Sequence, residues 1–114
     1  MDNCLFCKII KGEIPSSKVY ENDKVYAFRD INPQAPVHIL IVPKQHVANL
    51  LEGVAAKNDM MVALTEAISE IAKAEGIDKT GFRVITNCGK DGAQTVEHLH
   101  FHLLGGKQLS EQMA

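Results

Sequence analysis

The stretch Thr95-Val96-Glu97-His98-Leu99-His100-Phe101-His102-Leu103-Leu104-Gly105-Gly106 decides how the rest of the chain is read. Polar and apolar residues alternate until the paired glycines stop the pattern, which predicts a strand from Thr95 to Leu104. Strand side chains point to opposite faces with a period of two. His98, His100 and His102 then share one face, while Leu99, Phe101 and Leu103 turn into a core. The histidine face is expected to border a cleft.

Moving upstream, Asn87 to Thr95 is a polar loop in which Gly89 and Gly92 permit backbone shapes other residues resist, and Phe82 to Thr86 reads as a strand. Between Asn58 and Glu75 the residues Met61, Leu64, Ile68 and Ile71 recur at helical spacing. Asn58 or Asp59 is placed to cap that helix and Gly76 to stop it. The run from Val37 to Val42, bounded by Pro36 and Pro43, is almost continuously apolar, which predicts a central strand covered on both faces. Lys18 to Glu21 and Lys24 to Arg29 are rich in β-branched and aromatic residues and flank Asn22-Asp23, which reads as a two-residue hairpin turn. At the start, Leu5, Phe6, Ile9 and Ile10 have the spacing of a short helix ended by Gly12. Together these elements predict an α+β fold, with a mostly antiparallel sheet of about five strands and one long and one short helix. The expectation is one domain over residues 1–114.

Composition narrows the partners. Positive and negative residues are intermixed at a net charge of −2, so no basic stripe is available to track a nucleic-acid backbone. No apolar run is long enough for a membrane span and no signal-peptide pattern occurs, which predicts a soluble cytoplasmic protein. Three cysteines, Cys4-x-x-Cys7 and a lone Cys88, make a poor disulfide framework and suit a reducing compartment with a metal or redox role.

The triad cannot close around one ion on a straight strand. His98 and His102 would lie about 13 Å apart at ~3.3 Å per residue, whereas zinc holds imidazole nitrogens at about 2.0 to 2.1 Å. Neighbouring imidazoles can instead supply a neutral nucleophile and a protonated partner at physiological pH. Loop amides and hydroxyls near Ala93, Gln94 and Thr95 could hold the oxygens of a phosphoryl group. Transfer at phosphorus, metal-assisted hydrolysis and satisfied structural histidines all remain open from the residues alone.

His98 to Leu104 resembles the H-φ-H-φ-H-φ-φ signature of the histidine triad (HIT) superfamily, and the order of the other segments is similar to its Hint-like branch. The likeness runs through Phe6-x-x-Ile9, Gly12 to Pro15, Ala27 to Pro36, His38, Val42 to Lys44, Asn87, Asp91-Gly92, Gln94-Thr95 and Gly105-Gly106. It implies a homodimer that binds purine mononucleotides and hydrolyses nucleoside phosphoramidates or related adenylylated compounds, with the sheet extended across the dimer. By position, His100 would be the nucleophile that forms a nucleotidyl-histidine intermediate. His102 would bind the phosphate and assist the leaving group. Asn87, Ala93 and Thr95 would meet the phosphate and leaving group, with Ala93 standing where glycine is frequent and Thr95 where serine is common. Asp30 would accept from the ribose hydroxyls, and Phe6, Ile9, Phe28 and Ile31 would wall the base. His38 reads either as a hydrogen-bonded core histidine or as support for the triad. A nucleotide-binding regulator or scaffold with incidental hydrolysis, and a dinucleoside polyphosphate hydrolase, are the alternative functions.

Cys4 and Cys7 have the pair spacing of a structural zinc site, and no second cysteine pair exists to complete a tetrahedron. His46 and His98 are the candidates to complete it, an arrangement that resembles HIT proteins with this N-terminal pair. A redox pair, or two small buried residues, are the competing readings.

Overall fold

The computed structural model describes residues 3–113. At its centre is β3 (Val37–Pro43), whose alternate side chains feed two separate apolar clusters. Ile39 and Ile41 point to one face and Leu40 and Val42 to the other, and none of the four is more than 6% exposed. This is the double coverage expected of a continuous apolar run, with each such side chain contributing about 1.5 to 3 kcal/mol on burial.

The sheet has the order β1-β2-β3-β5-β4 and every pairing is antiparallel. Its members are β1 (Lys18–Glu21), β2 (Val25–Arg29), β3, β4 (Phe82–Ile85) and β5 (Phe101–Gly105). One face is covered by α3 (Met60–Ala74), which buries Leu64, Ala67, Ile68, Ile71 and Ala72 against Ile39, Ile41 and Leu103. The opposite face receives α1 (Leu5–Ile10), whose Phe6 and Ile9 pack with Tyr26, Phe28, Leu40 and Val42.

Both expected glycine stops are present. Gly12 and Gly76 take positive φ, and the following amides, Glu13 and Ile77, donate back to Lys8 and Ala72. At the start of α3 the N-cap residue is Asp59, but its carboxylate pairs with Lys24, and the Met60 amide is instead accepted by Asn58 Oδ1 at 3.0 Å.

Three expectations are corrected. The hairpin between β1 and β2 is not a two-residue turn, because Asn22 folds its side chain back to accept from the amides of Lys24 and Val25. No residue there takes the positive φ that a two-residue turn of the I′ type requires. A further short helix, α2 (Leu50–Ala55), was not expected; Asn49 caps it by accepting from the Glu52 amide, and Glu52 accepts from the Ala48 amide. The third correction concerns the opening stretch. The ladder of β5 begins only at Phe101, opposite Ile41, so residues 95–100 lie outside the sheet. The alternation of faces nevertheless persists there, since Leu99 packs on the α3 side while Phe6 meets the rings of His98 and His100.

Candidate active site and metal centre

The three histidines occupy three different environments. His102 sits on β5 beside His38 of β3, a diagonal neighbour across the ladder in which Leu40 faces His102 and His38 faces Leu104. His38 is buried, and its two ring nitrogens have distinct partners. The Gln34 amide donates to Nδ1 at 3.0 Å, and Nε2 lies 2.9 Å from His102 Nδ1 and 3.5 Å from an Asp30 carboxylate oxygen. An N–H can only donate, so His38 Nδ1 is the acceptor and its proton is on Nε2. That proton is donated to His102 Nδ1, which leaves His102 protonated on Nε2. His38 is thus a buried, hydrogen-bonded histidine that faces one triad member, His102.

Asp30, His38 and His102 bring three ligating atoms within 4.8 Å of one another, but the Gln34 amide argues against a cation among them. A metal on His38 Nε2 would displace a proton that Nδ1, already accepting, cannot take up. Burial, and then the neighbouring His100 and His38, lower the His102 pKa to about 4, and burial lowers that of His38 against the opposing pull of Asp30. Both rings are neutral at pH 7.

His100 is also buried. Its Nδ1–H donates to the backbone carbonyl of His98 at 2.8 Å, and its own carbonyl accepts from Thr86 Oγ1 at 2.8 Å. His100 Nε2 has no hydrogen-bond partner among the described residues, so a lone pair is available on that nitrogen. His100 and His102 line a cavity of about 380 Å³ together with Phe6, Ile9, Phe28, Asp30, Ile31 and Thr95. That volume falls within the range of small-molecule sites. Three of its apolar walls are buried, while Ile31 stands 92% exposed at the mouth. Asp30 Oδ1 accepts from the Asn32 amide at 2.8 Å, which bends the chain so that the carboxylate remains on the cavity.

The polar loop differs from expectation in which donors it leaves free. Asn87 and Ala93 do not line the cavity. Asn87 Nδ2 donates to the Gly92 carbonyl, and the amides of Ala93 and Gln94 donate to Lys90 and Gly89. Gln94 is a brace: its amide group donates to Ala48 and Val96 and accepts from Gly89. The donors left for a ligand are the Thr95 hydroxyl and the amides of Thr95 and Val96, which have no protein acceptor among the described residues. The turn itself is tight. A Cβ at Gly92 would stand 2.6 Å from the Cys88 carbonyl oxygen, and Ala93 is held at φ +59°.

His98 is fully buried and lines no part of the cavity. Its Nε2–H donates to the Pro43 carbonyl at 2.8 Å, which leaves Nδ1 bare and directed at Cys4 Sγ (3.3 Å), His46 Nδ1 (3.2 Å) and Cys7 Sγ (3.6 Å). Cys7 Sγ is 3.4 Å from His46 Nδ1. A tetrahedral zinc ion with Zn–N of about 2.0 to 2.1 Å and Zn–S of about 2.3 Å separates its ligand atoms by about 3.3 to 3.8 Å. The four donors, all within 4.8 Å of one another, are of the type that could hold zinc as a Cys2His2 set, and the Cys4–His98, Cys7–His98, Cys7–His46 and His46–His98 separations are close to that range. Burial, and then Cys4, push the Cys7 thiol up, a penalty that a bound cation reverses. All three cysteines are unpaired thiols.

Comparison with known proteins follows this geometry. The family model of the HIT domain matches residues 11–109. The chain belongs to the HIT family. It is 42% identical to a purine nucleoside phosphoramidase of Escherichia coli (strain K12), over 99% of this chain and 95% of that one. It is 50% identical to a 14 kDa zinc-binding protein of Zea mays, over 93% and 84% of the two chains. A solved HIT family hydrolase from Clostridium thermocellum superposes with a TM-score of 0.95 at 46% identity, covering 100% of this chain and 99% of that one.

Sequence reading missed the backbone groups that fix the rings and one side-chain hydroxyl, that of Thr86. The Gln34 amide, the Pro43 carbonyl and the His98 carbonyl carry no signal in residue type. Thr86, whose hydroxyl holds the His100 carbonyl, looks like any strand-end threonine.

Proposed function

We propose that this HIT domain, over residues 1–114, hydrolyses purine nucleoside phosphoramidates or related adenylylated compounds through a nucleotidyl intermediate on His100. The observation that carries the reading is the 2.8 Å hydrogen bond from His100 Nδ1–H to the His98 carbonyl. It confines the proton to Nδ1 and leaves the Nε2 lone pair for attack on phosphorus. The base lies between Phe6, Phe28, Ile9 and Ile31, and Asp30 accepts from the ribose hydroxyls. The phosphoryl oxygens meet the Thr95 hydroxyl and amide, the Val96 amide and His102 Nε2–H. Asn87 and Ala93 act by shaping the loop.

In the first displacement His100 Nε2 bonds to phosphorus as the bond to the leaving group breaks; the departing nitrogen or oxygen takes its proton from solvent, while His102 keeps its Nε2–H on a phosphoryl oxygen. In the second, water attacks phosphorus, loses its proton to solvent and displaces His100, which leaves as neutral imidazole with its proton still on Nδ1. Splitting one hydrolysis into two displacements lets the same aligned donors serve both. The relative named purine nucleoside phosphoramidase and the structure named a HIT family hydrolase support this reading.

Cys4, Cys7, His46 and His98 are the residues that would hold a structural zinc ion, whose role is to fix the N-terminal helix and the triad segment to one another. The zinc-binding name of the maize relative supports that assignment. Unpaired thiols in this set fit the reducing cytoplasm, and no helix among the described residues is long and apolar enough to cross a membrane. The active form is a homodimer joined at β4, an edge strand that exposes Phe82, Val84 and Ile85. The opposite edge, β1, carries Lys18 paired with Glu21, which also pairs with Lys44, and charge of this kind protects an edge from pairing.

Turnover of adenosine and guanosine phosphoramidates, measured beside binding of the monophosphates, tests the reading. Release of amine and monophosphate is expected; tight monophosphate binding without turnover of any phosphoramidate would support a scaffold instead.

A further inference from the structure

Cys4, Cys7 and His46 line no part of the cavity in which His100 and His102 stand. They converge on His98, and His98 is the residue whose carbonyl holds His100. The end of the ladder makes this connection matter. β5 starts at Phe101, so the His98 carbonyl, three residues earlier, is not held by strand pairing. Three hydrogen bonds to neighbouring elements hold residues 98–100: the Leu99 amide donates to Val47 at 2.8 Å, His98 Nε2–H donates to Pro43 at 2.8 Å, and Thr86 Oγ1 donates to the His100 carbonyl at 2.8 Å. The first two run to residues 43–47, the end of β3 and the turn after it, and the third holds the carbonyl beyond the His100 ring rather than that of His98. The remaining anchor of His98 itself, on the α1 side, is its Nδ1, and without a cation that nitrogen meets only a second imidazole and thiols, which are weak hydrogen-bonding groups.

We infer that Cys4, Cys7 and His46 are positioning residues for the nucleophile: by holding His98 Nδ1 through a shared thiophilic divalent cation, they keep the His98 carbonyl where it confines the His100 proton to Nδ1. The inference rests on the reading of His100 as nucleophile and of the four donors as a zinc site. When the carbonyl shifts, neutral His100 is free to carry its proton on either nitrogen, and the form protonated on Nε2 has no lone pair facing the phosphoryl group. Occupancy of a site outside the cavity thereby sets the fraction of molecules able to attack.

The test compares zinc-loaded protein, chelator-stripped protein and the Cys4→Ser variant. Cys4 is the N-cap of α1 and accepts from the Cys7 amide, and serine is a favoured residue at that position, so the variant removes the thiolate while keeping the helix start. Nitrogen-15 NMR of the histidine rings reads the His100 tautomer, circular dichroism checks the fold, and steady-state turnover of an adenosine phosphoramidate separates kcat from KM. Loaded protein is expected to show His100 as a single Nδ1–H tautomer. Stripped protein and Cys4→Ser should show mixed tautomers, with kcat lower by about tenfold or more, in the range set by lost orienting partners, and KM within about twofold. Zinc added back to stripped wild type should restore both tautomer and rate.

A folded stripped protein, or a folded Cys4→Ser variant, that keeps the single tautomer and full kcat would overturn the inference. So would wild-type protein that takes up no zinc. A zinc-dependent tautomer change in a protein that turns over no phosphoramidate would instead refute the proposed reaction and leave the positioning role standing.

Discussion

His38 Nε2 lies 2.9 Å from His102 Nδ1, and the Gln34 amide on the far side of the His38 ring decides the direction of that hydrogen bond. One backbone N–H thus propagates a proton assignment through two imidazoles to the cavity, where the proposed reaction has His102 present Nε2–H to a phosphoryl oxygen. His38→Ala should remove the lock on the His102 tautomer. kcat for an adenosine phosphoramidate should fall about tenfold to a hundredfold, the usual cost of losing a partner that orients a functional histidine, while monophosphate affinity, read by calorimetry, stays within about threefold. Unchanged kcat in a folded variant would remove His38 from the account.

The depressed His102 pKa also makes a stability prediction. In the unfolded chain an ordinary imidazole titrates near 6.5, whereas in the folded protein this ring holds out to about 4. Between those values the unfolded state binds more protons, so this contribution is fully present above about pH 6.5 and is lost as pH falls toward 4. His102→Gln cannot titrate. Its melting temperature should therefore decline less steeply across that window than the wild type's, as scanning calorimetry at fixed ionic strength would show; parallel curves would contradict the assignment.

Much of the fold was legible because burial leaves a pattern. Val37 to Val42 announced a doubly covered strand, and Met61, Leu64, Ile68 and Ile71 announced the helix on one of its faces. The start of β5 was not legible, since a strand ends where its partners end. β4 stops at Ile85, opposite His102, and the β3 pairing runs no further than Ile41 opposite Phe101. The histidine alternation simply continues past them. α2 was hidden by its brevity, by Gly53 inside it and by Leu51 and Val54 facing solvent, although Asn49 three residues before Glu52 was a capping signal. The identities of the chemistry-bearing side chains could be read from the sequence; the carbonyls and amides that assign their protons could not.

Ala93 is a residue with a side chain held at φ +59°, in the left-handed region. That conformation costs an L-residue roughly 1 to 2 kcal/mol, partly offset by the chain entropy glycine loses on folding. Ala93→Gly should raise unfolding free energy by about 0.5 to 1 kcal/mol in urea titrations, without altering monophosphate binding. A loss of stability would show that the loop does not strain the backbone as described.

The exposed apolar edge at β4 predicts the assembly. Phe82, Val84 and Ile85 are 42%, 39% and 37% exposed, and a paired second copy would cover them. Light scattering should give a dimer for wild type and a monomer for Val84→Glu at micromolar concentration. A monomeric wild type would exclude pairing through this edge.

The central claim is that His100 Nε2 becomes bonded to the nucleotide. Rapid quenching of protein mixed with excess adenosine phosphoramidate, followed by peptide mass mapping, tests it most directly. The account predicts one adenylyl group on His100 in wild type and none in His100→Ala, which should still bind the monophosphate. Turnover by His100→Ala at near wild-type rate, or an adduct mapped to another residue, would contradict it.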